Sequence, residues 1–450
     1  MNLIYNVKDK PKFGQVLVFA FQQLLAIMAA TIAVPAIIGN GMTASAALFG
    51  AGAGTIIYQI FTGFNSPVFL GSSFAFIGSM LAAFAGSISM SVGYLGLIIG
   101  AIFAGLVYVA LAFIVKKVGT NWIDKLMPAV VIGPTVTIIG LSLAGNAIGD
   151  LMKGDGSMFV SSYLAMICGL LTLAVVIICS VFGKKMTRLI PFIIGIGAGY
   201  ALALIFTLFG KLTDNAKFLI IDFAPFSALL SHGKLTFESF LAFPEFAFIT
   251  AAKGFKHINF SYLVTIFVAY APVAFVVFAE HIADHKNLST IINKDLIKDP
   301  GLDKTLLGDG VGSMVGAIFG GCPNTTYGES VGCVAITGNA SIATITAAAL
   351  LSMAVSFVSP LMALLDSIPS CVMGGVCMSL YGFIAVSGLK MIQKVDLESN
   401  ANLFTTAVIL ITGIGGMSLA IGKVTLTTTA CALILGIITN ILVNLKKDAE

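Results

Sequence analysis

Apolar runs of about 20 residues recur along this chain, separated by short segments that hold most of its charge. As helix, a run of that length spans about 30 Å of hydrocarbon. The residue balance leaves little alternative. Hydrophobic residues make up 58% of the chain and charged residues 10%, against about 25% charge in a soluble domain. A water-facing surface cannot be covered with so few polar side chains, so the chain reads as a polytopic membrane protein. Backbone groups in hydrocarbon must be satisfied internally, which allows helices or closed barrels. The runs are continuous rather than alternating, which excludes a barrel and makes the fold class all-α. The 48 glycines suit closely packed membrane helices. A net charge of +4 is no pointer to nucleic acid in such a chain. The seven cysteines are scattered singly without a CxxC pair and read as small buried hydrophobes.

The runs divide into about fourteen expected spans, bounded to within several residues. They lie near 14–38, 44–62, 67–86, 90–115, 126–147, 159–183 and 189–210, then 258–283, 305–321, 325–338, 341–365, 367–389, 402–422 and 425–445. A polar, aromatic stretch over 211–257 separates the two sets. The start, "MNLIYNVKDKPKFG", is basic and lacks the apolar core of a cleavable signal, so it is expected to be a cytoplasmic tail. With the N-terminus inside, the loops after even-numbered spans should be basic. They hold Lys116, Lys117 and Lys125; Lys184, Lys185 and Arg188; Lys286, Lys294, Lys298 and Lys304; and Lys390 and Lys394. Together with Lys8, Lys10, Lys12, Lys446 and Lys447 these are 17 of the 24 basic residues. The expected topology therefore has both ends in the cytoplasm.

A trace of repetition links the halves. "MPAVVIG" (Met127 to Gly133) opens the fifth expected span and "IPSCVMG" (Ile368 to Gly374) the twelfth. An odd number of spans per repeat inverts one half against the other, a common plan for secondary transporters, which bind substrate where corresponding helices break. The tenth span carries "GCPNTTYGESVG" (Gly321 to Gly332), and its counterpart in the third is "FLGSSFAFIGS" (Phe69 to Ser79). Each has a glycine and paired hydroxyls, Ser72 and Ser73 in one and Thr325 and Thr326 in the other. We expect a short extended strand leading into a half-helix in each, with first-turn N–H groups free to meet a substrate.

Acids mark the same region. Glu280 ends the run "YLVTIFVAYAPVAFVVFAE", and Glu329 lies in the broken tenth span. A charged carboxylate at the bilayer centre costs about 2.5–3.5 kcal/mol even on the lenient insertion scale, so such a group is expected to face a cavity. Asp284 follows Glu280 by one helical turn on the same face; it either relays protons or belongs to the charged loop beyond. His281 and His285 are spaced for a metal, yet no third ligand accompanies them, so no metal site is expected. His232 and His257 carry no signal. Two carboxyls with backbone donors suit a small planar molecule bearing alternating N–H and C=O groups. An anion would call for cations, and the single arginine, Arg188, sits in a loop.

These residues resemble the nucleobase–ascorbate transporter family, and within it the uracil-carrying branch, nearly end to end. The matching segments are "LGSSFAFI" (Leu70 to Ile77), "AEHI" (Ala279 to Ile282), "KDLIKDPGL" (Lys294 to Leu302), "PNTTYGE" (Pro323 to Glu329) and "AIT" (Ala335 to Thr337). The purine branch usually has Gln where Glu329 stands, which favours a pyrimidine. The resemblance implies two inverted halves of about seven segments each, arranged as core and gate domains. The core would comprise 1–122 and 258–366, the gate 123–210 and 367–450, with 211–257 as an interfacial connection. It also implies that Glu280 and Glu329 bond the uracil ring while the N–H groups of Phe74 and Gly328 reach its carbonyls. Ser73, Thr326, Tyr327, Tyr381 and Gln23 are expected to line the site, and Asp284 and Glu329 to couple protons. Relatives can carry His at the position of Asp284, and Asn where Ser330 stands; both departures bear on coupling and pyrimidine range.

The expectation is a proton-coupled uracil symporter of the cell membrane, working by an elevator motion as a homodimer, with no cofactor beyond the coupling proton. A xanthine or other purine permease of the same fold is the nearest alternative. An anion transporter on this scaffold is disfavoured by the lack of an intramembrane cation. A membrane enzyme finds no metal motif, nucleophile elbow or cofactor loop in the sequence.

Overall fold

Proline, glycine and short polar side chains set where the helices of this protein begin and end. The computed structural model describes residues 3–119, 122, 128–157, 159–230, 234–421 and 424–445. Lys125, Met127, His232, Lys446 and Lys447, named above, lie outside the described residues. The first half runs through α1 (Phe13–Ile38), α2 (Ala44–Phe61), β1 (Leu70–Ser72), α3 (Ile77–Ala85), α4 (Met90–Val118), α5 (Ala129–Ser142), α6 (Ala144–Leu151), α7 (Ser162–Phe182) and α8 (Pro191–Leu212). The second continues with α9 (Phe260–Ile292), α10 (Leu302–Gly320), β2 (Asn324–Thr326), α11 (Gly328–Thr337), α12 (Ile342–Val355), α13 (Ser359–Asp366) and α14 (Ser370–Ile392). It closes with α15 (Asn400–Ile414), β3 (Leu419–Ile421), β4 (Val424–Leu426) and α16 (Thr428–Asn444). Thr43, Ser89 and Asn259 open α2, α4 and α9 by accepting from backbone N–H groups of the first turn, the usual N-cap arrangement. Gly321 ends α10 at φ 72°, a left-handed conformation that a Cβ disfavours.

The protein is predominantly helical and multi-pass. Among the described residues, eight helices are long and apolar enough to cross a membrane. The third and tenth expected spans are broken. β1 leads through a helical turn at Phe74–Phe76 into α3, and β2 leads directly into α11. The strands pair antiparallel, with Leu70 opposite Thr326, Gly71 opposite Thr325 and Ser72 opposite Asn324. Ser73 N–H extends the ladder by donating to Pro323 O at 2.9 Å. Pro323 has no N–H to give, so the chain cannot continue α10 here.

Two of the expected boundaries are displaced. α9 continues to Ile292 rather than stopping near 283, because Leu288 and Ile292 carry the buried face on past the apolar run while Lys286, Asn287 and Thr290 face outward. The expected span over 402–422 is a 15-residue helix followed by a β3–β4 hairpin. Gly415 and Gly416 stop that helix, Gly416 at φ 70°, and the β-branched residues that follow favour extended backbone.

Packing sorts the helices. α10 lies against α2 and α4, α9 against α4, and α12 against α1 and α2. Elsewhere α14 packs on α5, α6 and α7, α8 on α7, and α15 and α16 on α5 and on each other. The α2–α10 contact depends on glycine: a Cβ on Gly54 would stand 2.7 Å from Gly312 O, and one on Gly312 the same distance from Gly54 O. The 211–257 connection is strapped onto helix ends rather than hanging free. Phe246 packs edge-on against Phe49 (4.9 Å) and Phe319 (5.3 Å), and Ala242 N–H donates to Phe357 O at 3.0 Å.

Candidate substrate site

The broken segments meet α9 at a cavity of about 380 Å³. Phe74, Ala75, Tyr327, Gly328 and Glu329 line it from the two breaks, with Thr325 and Thr326 on β2 and Glu280, Ala283 and Asp284 on α9. Opposite them stand Val136 and Ile139 of α5, Phe192 of α8, and α14 residues from Leu380 to Met391. Eleven residues of helix rise about 16 Å, so the cavity runs from the level of the breaks toward the end of α14 that carries Lys390.

Local sequence explains how the polar groups reach it. Glu280 and Asp284 are four apart on α9 and therefore share a face. Asp284 Oδ2 accepts from Thr326 Oγ1 at 2.7 Å, which ties α9 to β2. Glu329 stands in the first turn of α11, and Phe74 and Gly328 begin the two helical segments after the strands. First-turn N–H groups have no preceding carbonyl to bond and carry the positive end of the helix dipole. Gly71 is needed beside them, because a Cβ there would enter the Tyr327 ring. That ring is pinned by Tyr327 Oη donating to Ser72 O at 2.8 Å.

Six side chains named from the sequence, Phe74, Glu280, Asp284, Thr326, Tyr327 and Glu329, thus come to one cavity with Gly328. Three others do not line it. Ser73 is buried in the strand ladder. Gln23 lies behind the breaks, its Nε2 donating to Ser330 Oγ at 2.6 Å, while Phe69 N–H donates to the same oxygen at 3.1 Å. Tyr381 is buried on α14, its ring edge-on to Phe74 at 6.0 Å. Both histidines of α9 are committed. His281 Nδ1 meets Asp309 Oδ2 at 2.7 Å and its Nε2 meets Thr305 Oγ1 at 3.0 Å. His285 Nδ1 donates to His281 O at 2.8 Å, and its Nε2 bonds Tyr58 Oη at 2.7 Å. No ring nitrogen of the pair is spare for a metal, and the described residues hold no cluster of three or more metal-ligating side chains.

Sequence reasoning missed the apolar wall from α5, α8 and α14, since Val, Ile, Leu and Phe in a membrane helix look alike whichever way they face. It also missed Asp309, 1% exposed. Its position inside the apolar span "LLGDGVGSMVG" was a signal of the same kind as that of Glu280.

Comparison with known proteins agrees in fold and family. A family model described as the Permease family matches residues 14–422. The chain is 37% identical over 444 residues to a uracil permease of Bacillus caldolyticus, covering 98% of this chain and 94% of the relative. It is 34% identical over 436 residues to a uracil permease of Escherichia coli (strain K12), covering 96% and 92%. It is also 31% identical over 448 residues to a putative pyrimidine permease of that strain, covering 97% and 91%. Among solved structures, the transmembrane domain of a cyanobacterial bicarbonate transporter aligns with a TM-score of 0.58 at 13% identity, covering 96% of this chain and 99% of that one. A murine Slc26a9 anion transporter in its inward-facing state aligns at 0.63 and 12% identity, covering 98% and 69%. At such identities the structural likeness concerns the fold alone.

Proposed function

The chain belongs to the permease family of nucleobase–ascorbate transporters, and from that premise we propose that it carries uracil across the cell membrane by proton symport. The carrying observation is the meeting of Glu280, Glu329 and Asp284 with the N-termini of two half-helices at one cavity. Carboxyls accept from ring N–H groups and, when protonated, donate to a ring carbonyl; the N–H groups of Phe74 and Gly328 serve the remaining carbonyl oxygen. Among the described residues no Lys or Arg lines the cavity, which favours a neutral ring over an anion. A neutral solute gains concentrative force only from a coupled ion. In this proposal a proton bound at Asp284 or Glu329 travels inward with uracil, and no other cofactor is involved.

The alternating-access reading is an elevator. Core helices α1–α4 and α9–α13 would carry the site past a gate made of α5–α8 and α14–α16, with residue bounds 1–122 and 258–366 for the core and 123–210 and 367–450 for the gate. Support comes from the preferential packing within each set and from the cavity lying between them. The matching breaks at β1 and β2 support two inverted halves totalling about fourteen segments. Basic residues on alternate loops support cytoplasmic termini, and the cavity's course toward Lys390 then corresponds to an inward-facing state. Homodimerisation through the gate is carried over from the family resemblance.

The test is uptake of labelled uracil into proteoliposomes with and without an inward proton gradient. Accumulation above equilibrium, abolished by a protonophore, is the expected result. Uptake that only equilibrates refutes symport. Inhibition by xanthine without transport of uracil moves the substrate to the purines.

A further inference from the structure

Beside the cavity, where α4, α9, α10 and β2 converge, is a second void of about 10 Å³. Its wall includes Phe76, Tyr108, Val277, Asp309, Ser313 and Asn324. Two polar atoms there have no hydrogen-bond partner among the described residues, Asp309 Oδ1 and Tyr108 Oη. They belong to side chains only 1% and 4% exposed. Asp309 uses its other oxygen on His281 Nδ1 at 2.7 Å, and the Tyr108 ring stands edge-on to His281 at 6.3 Å. Asn324 spends its amide N–H on Gly50 O at 3.0 Å, which leaves its carbonyl oxygen as an acceptor.

We propose that this void is the site of a single resident water. A water needs roughly 10–15 Å³ and two to four polar partners; the void of about 10 Å³ meets the lower bound, and Asp309, Tyr108, Ser313 and Asn324 in its wall are the candidate partners. Tyr108 O–H donates to the water, which donates in turn to Asp309 Oδ1 and to the Asn324 or Ser313 oxygen. Leaving the two buried groups unpaired would be costly, because neither can turn to solvent. A cation fits poorly: hard cations gather about six oxygens, and most of this wall is carbon. The water completes the bonding of the carboxyl that holds His281, the residue after Glu280, and so links α4, α9, α10 and β2 at one point. The proposal does not depend on what the protein transports.

X-ray radiolytic footprinting of the full-length protein in lipid nanodiscs tests it, because radicals formed at a bound water oxidise the side chain touching it. Tyr270 is the internal control: it is 0% exposed and its hydroxyl is likewise unpartnered, but it is not in the wall of this void. Tyr108 is expected to be oxidised severalfold faster than Tyr270. Equal rates overturn the proposal. A density map at high resolution provides an independent test. One peak about 2.7–3.2 Å from both Asp309 Oδ1 and Tyr108 Oη supports the water. No peak, or one ringed by five or more oxygens at about 2.4 Å as for a cation, refutes it.

Discussion

Deleting one hydroxyl beside Glu329 measures how firmly the two broken segments are tied together. Ser330 is fully buried, and its Oγ accepts from Gln23 Nε2 at 2.6 Å and Phe69 N–H at 3.1 Å. Ser330→Ala removes the acceptor and almost no volume, so the cost is that of two orphaned buried donors. Each costs about 1–3 kcal/mol, giving about 2–6 kcal/mol in all. The lower half of that range is expected, because the long Gln23 side chain can re-aim whereas the Phe69 amide cannot. Gln23→Met removes the side-chain donor at similar size. In the double variant only the Phe69 amide stays unpaired, so its cost should fall short of the summed single costs by about 1–2 kcal/mol. Unfolding of the purified protein in mixed micelles by increasing detergent denaturant, followed by circular dichroism, reads all four corners of the cycle. A Ser330→Ala cost below about 0.5 kcal/mol, the range of an indifferent surface change, or strict additivity in the double variant, would refute the reasoning.

Three further outcomes follow from the site. Glu280→Gln and Glu329→Gln should each abolish concentrative uracil uptake while the protein still reaches the membrane; normal uptake by either variant removes that carboxyl from the site. Asp284→Asn should flatten the dependence of uptake on pH, measured across a series of external pH values, and an unchanged profile would deny Asp284 a part in coupling. Gly71→Ala places a methyl group against the Tyr327 ring, and overpacking of this kind costs about 1–3 kcal/mol. Displacement of that ring should weaken uracil binding measured by calorimetry; unaltered binding would show that the ring can yield without disturbing the site.

Membrane class, helical fold and the two interruptions follow from the order of residues alone. An apolar run of sufficient length has one stable form in hydrocarbon, and a Pro323 beside paired threonines cannot prolong a helix there. The acids Glu280 and Glu329 stood out for the same reason, since a carboxyl in such a run is too costly to be incidental. Proximity is what the chain order does not contain. That Ser72 lies opposite Asn324, or that Thr326 bonds Asp284 across 42 positions, depends on the α2–α10 glycine contact and on the strand register, each set by packing between distant segments. Gln23, Ser73 and Tyr381, expected on the cavity wall, instead meet Ser330, the strand ladder and the Phe74 ring, partners that only packing between distant segments brings to them. Asp309 and His281 form their pair for a like reason: each helix satisfies its own backbone but not its buried side chains, and only the neighbouring helix can supply the partner.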